Sequence, residues 1–196
     1  VDPDEVSHEK SLLNPTNPYA ASKAAAEFIV RSYGHSFGFP WIIVRMNNVY
    51  GPCQYPEKLI PKFINSILDN KACTIHGKGE TRRNFVYIDD VSRAIQLVME
   101  KGVTNEVYNI GTNDEYSVNE IFERLRESIN PEATLEYVDD RPFNDARYCI
   151  DSASIRGLGW TQQCTFDQGL AQTIDWYRHN RDHFNLSLIH ISEPTR

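Results

Sequence analysis

The stretch Trp41-Ile42-Ile43-Val44 decides the fold. It is a short, continuous apolar run, the pattern of a strand buried on both faces of a parallel sheet. Upstream of it, Tyr19 to about Phe37 reads as a helix. Small residues crowd the first half of that helix, and Phe28, Ile29, Tyr33 and Phe37 supply bulk in the second. Asn17-Pro18 precedes it, Gly34 and Gly38 loosen its end, and Pro40 cannot continue it. Helix followed by buried strand is the rhythm of an α/β fold. Arg45 to Tyr55 is then the loop after the strand, where open α/β sheets hold their ligands.

Further along, Lys58 to about Asp69 predicts a helix with Ile60, Phe63, Ile64, Ile67 and Leu68 on one side and Pro61 in its first turn. Cys73 to His76 and Asn84 to Ile88 read as strands, separated by the turn Gly77-Lys78-Gly79. Asp89 or Asp90 is expected to cap a helix that runs to about Glu100, with Val91, Ala94, Ile95 and Val98 facing inward and Gly102 ending it. Glu106 to Ile110 is a further strand. Ser117 caps the next helix, with Glu120 completing a capping box and Ile121, Leu125 and Ile129 on its apolar face. A strand at Leu135 to Val138, a charged loop from Asp139 to Tyr148, a short helix from Ser152 to Leu158 and a last helix from Phe166 to about His179 follow.

The length of 196 residues suits one domain, or one domain and part of another. With 40% hydrophobic and 24% charged residues the chain can build a core. A net charge of -7 argues against nucleic acid and anionic membranes as partners. No apolar run is long enough to span a bilayer, and no signal peptide opens the chain, although a fragment could have lost one. Cys53, Cys73, Cys149 and Cys164 are widely spaced, which suits reduced thiols of a cytoplasmic protein and neither a metal site nor a disulfide framework.

The chemistry starts with Tyr19-Ala20-Ala21-Ser22-Lys23. A Tyr and a Lys four residues apart on a helix lie on one face, one turn apart. An ammonium there stabilises a phenolate, so Tyr19 is a candidate general base and Lys23 its partner. The bland reading is a solvated helix pair. The small residues around the pair favour the functional one, because they let a cofactor or a second helix approach the backbone.

Asn17-Pro18-Tyr19-Ala20-Ala21-Ser22-Lys23 resembles the catalytic segment of extended short-chain dehydrogenases acting on nucleotide sugars. Asn48-Val49-Tyr50-Gly51-Pro52, Pro56-Glu57-Lys58-Leu59-Ile60-Pro61, Tyr108-Asn109-Ile110-Gly111 and Asp140-Arg141-Pro142 resemble the NDP-glucose 4,6-dehydratases in particular. The matches run in order from about Glu9 to about Tyr177. The resemblance implies NAD as cofactor and a nucleotide sugar, carried by dTDP or UDP, as substrate. It gives Tyr19 the 4-hydroxyl proton and Lys23 the nicotinamide ribose. It places Val49 against the cofactor and Asn48 against the substrate. Lys58 and Leu59 become substrate contacts at a helix start, where exposed N–H groups favour phosphate. Thr74, Ile75 and His76 flank the base, Arg83 holds the diphosphate in preference to Arg82, and Asn109 lies near the diphosphate. Asp140, Arg141, Pro142, Phe143 and Asn144 form a loop closing on the nucleotide. Many relatives have Gly-His where Phe143-Asn144 stands. Arg147 is equally a phosphate ligand or an ion-pair partner. Without these contexts Lys58 would be an ordinary surface lysine, Asn48 a turn residue and His76 a packing histidine.

None of the ten glycines forms the Gly-rich dinucleotide turn, and the family's Thr-Asp-Glu, its acid and base for the loss of water, is absent. Asp4-Glu5-Val6 has Pro3 where that Thr would stand and lies too close to Tyr19. The fold expected is therefore α/β: the late part of a Rossmann-type parallel sheet with a small C-terminal α/β substrate-binding domain. Residues 1–56 would end the NAD-binding domain and 57–185 would mix late Rossmann elements with the substrate domain. Residues 186–196 resemble a translated sequencing-library adapter, so a non-native tail is expected, with a natural extension as the alternative. The function expected is an NDP-glucose 4,6-dehydratase, a homodimer when full length. Its alternatives are an epimerase or UDP-glucuronate decarboxylase of the same superfamily, or a non-catalytic nucleotide-sugar-binding module.

Overall fold

Asn17 starts the first helix by accepting the N–H of Ala20 on its side chain at 2.9 Å, with Pro18 in the first turn. In this computed structural model, which describes residues 6–139 and 149–184, that helix is α1 (Pro18–Phe37). Gly38 closes it in the left-handed conformation at φ 65°, its N–H donating to the carbonyl of Gly34. There follow β1 (Ile43–Met46), β2 (Asn48–Tyr50), α2 (Leu59–Leu68), β3 (Cys73–His76), β4 (Arg82–Tyr87), α3 (Ile88–Lys101) and β5 (Val107–Ile110). The chain continues through β6 (Glu115–Ser117), α4 (Val118–Ile129), β7 (Leu135–Val138), α5 (Ala153–Gly157) and α6 (Phe166–His179).

Strand pairing is mostly parallel, as the helix–strand rhythm requires. β1 pairs with β5, β2 with β4, and β3 with β7, all parallel, while β6 runs antiparallel to β4. β4 separates two cores by alternation. Phe85 and Tyr87 face the larger core, together with Tyr50, Phe63, Ile64, Ile75, Leu125, Phe166 and Tyr177. Val86 faces the smaller one, with Val91, Val98, Tyr108, Ile155 and Trp160. α6 reaches the larger core closely because Gly169 carries no side chain: a Cβ there would fall 2.4 Å from the Tyr50 hydroxyl.

Several sequence expectations need correction. The strand after Pro40 begins at Ile43, not Trp41, and it is half-buried, not enclosed on both faces. Among the described residues it pairs only with β5, so one edge stays open. Arg45 to Tyr55 is not all loop, since Asn48–Tyr50 forms β2. β6 was not anticipated, and β4 begins two residues earlier than expected. Neither Asp89 nor Asp90 caps α3; the N-cap position is Tyr87. The carboxylate of Asp90, fully buried, instead accepts the backbone N–H groups of Gln163 and Cys164 at 2.9 and 3.0 Å and pairs with Arg93. Ile95 lies at the surface, 36% exposed, because the inward stripe of α3 is Val91, Ala94 and Val98. The capping box of Ser117 and Glu120 forms as expected, and α6 spans the expected residues. Asp139 begins a stretch whose remainder lies outside the described residues, as do Asp4, Glu5 and the tail. No helix among the described residues is long and apolar enough to cross a membrane.

Candidate active site

Tyr19 and Lys23 stand one turn apart at the start of α1, and both are exposed, Tyr19 to 75%. The Ser22 hydroxyl donates to the Tyr19 carbonyl at 2.8 Å on the exposed helix surface. α1 buries none of its residues. A charged fork fixes it to β1: Arg45 donates to both oxygens of Glu27, at 2.9 and 2.7 Å. Arg31 adds a cation–π contact over the Trp41 ring at 5.4 Å.

The strand ends carry the other candidates. Asn48 pairs in register with Phe85, two residues beyond Arg83 on β4. By alternation Asn48 and Arg83 therefore share a face, and Arg82 occupies the opposite one. Arg82 is engaged there with Glu115 and Glu120, at 3.4 and 3.1 Å. Arg83 donates one guanidinium N–H to the Arg82 carbonyl at 2.9 Å and lies opposite Tyr116 in the antiparallel register. Val49, next to Asn48, is half-buried and packs toward the smaller core.

Lys58 occupies the N-cap position of α2, with an extended backbone and no side-chain cap. Its ammonium pairs with Glu57 at 2.9 Å; both side chains are more than half exposed, so little free energy is needed to part them. The Leu59 side chain packs against the larger core, and its backbone N–H is among those at the start of α2 that have no partner within the helix. On β3, Thr74 and His76 point away from that core while Ile75 is buried in it at 2%. The backbone of Ile75 turns toward β7, like those of Cys73 and Gly77, whose N–H groups donate to the carbonyls of Thr134 and Val138 at 2.9 Å, so the outer edge of β3 carries the backbone groups of Thr74 and His76. His76 Nδ1 lies 3.3 Å from the carbonyl of Asp139, the last described residue before the proposed closing loop. Asp140, Arg141, Pro142, Phe143 and Asn144, and Arg147 with them, lie outside the described residues.

Asn109 is not gathered with the others at the surface. It is 2% exposed, donates its amide to the Asp151 carbonyl at 2.9 Å, and its backbone N–H meets Glu9 Oε1 at 3.1 Å. Its Oδ1 has no partner among the described residues. The same holds for Asn47, buried between β1 and β2 beside the predicted Asn48. Sequence reasoning passed over Asn47, and the Asn47-Asn48 doublet was the signal that two amides face opposite ways there. No group of acidic, histidine or cysteine side chains among the described residues could hold a metal ion.

Elsewhere the ionisable groups are tuned for structure. Glu120 is held below the usual carboxylate range, chiefly by the Ser117 backbone N–H it accepts and then by Arg82. Burial pushes the Cys73 thiol up to about 11 and raises the phenols of Tyr50, Tyr87 and Tyr177, which keeps all four protonated at neutral pH.

Similarity to known proteins follows this geometry. The NAD dependent epimerase/dehydratase family matches residues 1–111. The dTDP-D-glucose 4,6-dehydratase of Homo sapiens is 50% identical over 179 residues, covering 88% of this chain and 51% of that protein. The trifunctional UDP-glucose 4,6-dehydratase/UDP-4-keto-6-deoxy-D-glucose 3,5-epimerase/UDP-4-keto-L-rhamnose-reductase RHM1 of Arabidopsis thaliana is 48% identical over 175 residues, covering 88% of this chain and 26% of that one. The crystal structure of DesIV, a dTDP-glucose 4,6-dehydratase from Streptomyces venezuelae with NAD bound, matches with a TM-score of 0.87 and 39% identity, over 91% of this chain and 56% of that one. The chain thus spans about half the length of the single-function dehydratases it matches. A helix that opens on the Tyr19–Lys23 pair, parallel strands behind it and a family match across 1–111 lead to one conclusion: the chain belongs to the NAD dependent epimerase/dehydratase family.

Proposed function

We propose that this chain supplies the catalytic tyrosine and the substrate half of an NAD-dependent NDP-glucose 4,6-dehydratase. The observation that carries the reading is the Tyr19–Lys23 pair, one turn apart and open at the capped start of α1. Tyr19 takes the proton of the sugar 4-hydroxyl, and the Lys23 ammonium stabilises the phenolate that does so. NAD, when bound, accepts the hydride from C4 and returns it to C6. Asn48 orients the sugar, since an amide can both donate to and accept from hydroxyls. Lys58, the α2 N-terminus and Arg83 neutralise the diphosphate. Thr74 and His76 meet the base along the edge of β3 that is unpaired among the described residues, with Ile75 anchoring the strand between them, and Asn109 and the 140–144 loop are proposed to complete the nucleotide site.

The residues present fit one end of the cofactor only. Lys23 and Val49 suit the nicotinamide ribose, with small residues at the start of α1 leaving room. The Gly-rich turn that admits a pyrophosphate to backbone N–H groups is not among this chain's residues, and neither is the acid–base pair for dehydration. The division at residue 56 between a cofactor part and a mixed substrate part belongs to the same proposal. So do a cytoplasmic setting, in keeping with four free thiols, and a homodimer built on α1.

The complete protein carrying this chain, incubated with NAD and either dTDP-glucose or UDP-glucose, is expected to yield the 4-keto-6-deoxy sugar nucleotide. Tyr19→Phe should lower that rate by about two to four orders of magnitude. Near-normal turnover removes Tyr19 from the role, and a 4-epimer as product favours the epimerase reading. The isolated chain should form neither product.

A further inference from the structure

The C-terminal helix α6 and Phe184 beyond its end lie against the segment that leads to the proposed phosphate ligand and hold it at three points. At the base, Tyr50 donates its hydroxyl to the carbonyl of Phe166 at 2.9 Å. In the middle, the Tyr177 hydroxyl donates to the carbonyl of Gln54. Beyond it, the rings of Tyr55 and Phe184 meet edge to face, with centroids 5.9 Å apart. Residues 51–58 contain neither helix nor strand, so local turn bonds, such as that from the Gln54 side-chain amide to the Val49 carbonyl at 2.7 Å, and bonds from α6 set their shape together. The Lys58 N–H donates to the Tyr55 carbonyl at 3.1 Å, so the anchored turn runs directly into Lys58 and the first turn of α2. Tyr177 itself is 2% exposed: its ring belongs to the larger core, and its hydroxyl is the group that reaches the loop.

We infer that Tyr177 is a positioning residue whose hydroxyl fixes the 51–58 loop so that Lys58 and the α2 N-terminus meet the diphosphate together. This rests on the reading of Lys58 as a diphosphate ligand and deepens it. The Lys58 side chain is 59% exposed on a flexible stem. An ammonium on a mobile backbone must be ordered when the phosphate arrives, and that ordering opposes binding. A backbone anchored beforehand removes part of the cost. The anchor comes from a residue 123 positions from Gln54 in sequence, which no local motif around Lys58 reveals.

Tyr177→Phe keeps the ring and deletes the hydroxyl. Tyr87→Phe is the control, because the Tyr87 hydroxyl bonds Gln172 of the same helix at 3.0 Å instead of the loop. Thymidine diphosphate affinity is measured by calorimetry on the full chain, and amide exchange over 52–58 by mass spectrometry. Lys58→Ala should weaken thymidine diphosphate by about tenfold, and Tyr177→Phe by about fivefold with faster exchange over the loop. Tyr87→Phe should change neither. Unchanged affinity in Tyr177→Phe overturns the positioning role, whatever the exchange shows. A Lys58→Ala chain that binds as well as the parent overturns the diphosphate reading of Lys58, and the inference with it.

Discussion

Arg45 grips Glu27 with two parallel hydrogen bonds, and this fork joins α1 to β1 across 18 residues of sequence. The two side chains are 20% and 17% exposed, between the surface and the buried case. Removing one partner leaves the other charge partly desolvated, so Glu27→Ala and Arg45→Ala should each cost about 1–3 kcal/mol. The double variant should cost less than the sum of the two. Urea melts of the four proteins measure this, and additive losses would show that the fork does not couple helix to strand.

Arg82 and Arg83 should separate stability from binding. Arg82 is half-exposed and spends its guanidinium on Glu115 and Glu120, so Arg82→Ala should lower stability by about 1 kcal/mol or less and leave nucleotide affinity alone. Arg83 shares the Asn48 face, so Arg83→Ala should weaken a nucleoside diphosphate sugar more than a free hexose. Equal losses for both ligands would contradict a phosphate role for Arg83.

Much of this was legible in the sequence because it is local. The Ser117 capping box, the start of α6 at its Thr165 cap and the one-turn spacing of Tyr19 and Lys23 all depend on spacings within one helical turn. What was not legible depends on partners distant in sequence. β2 and β6 are three residues each, and only pairing with β4 makes strands of them. Asp90 resembles a helix cap until residues 73 and 74 positions later claim its carboxylate. Alternation on β4 distinguishes Arg83 from Arg82 physically, whereas sequence alone could separate them only by register from the preceding turn.

Glu120 gives the helix α4 a pH dependence of known sign. Its folded carboxyl lies below the ordinary value of 4.5, because the charged form accepts the Ser117 N–H and faces Arg82. The stabilisation is fully present above that value and is lost as pH falls through the depressed folded one. Melting temperatures of the parent and Glu120→Gln, followed from neutral pH downward, should converge in that acidic window. A gap that persists at the lowest pH would assign the effect to the amide's geometry and not to the charge.

The α1 surface should report on assembly. Phe28, Ile29, Tyr33 and Phe37 are 55–76% exposed on a helix that buries nothing, more apolar surface than an isolated helix face usually leaves in water. If α1 forms the dimer, Phe28→Glu with Tyr33→Glu should convert the complete protein from dimer to monomer in sedimentation. A complete protein that is already monomeric at micromolar concentration would count against it.

The bond from Tyr50 to Phe166 spans 116 residues, and it governs the order in which the chain can become itself during synthesis. At roughly 5–20 residues per second, Tyr50 and its neighbours wait about 6–23 s before the first residue of α6, Phe166, is made. Through that interval the face of β2 and β4 that α6 will cover stays open, and the loop that carries Lys58 is unanchored. A nascent chain cut short before residue 166 would present those aromatic side chains to any holdase, while one ending after residue 184 could bury them.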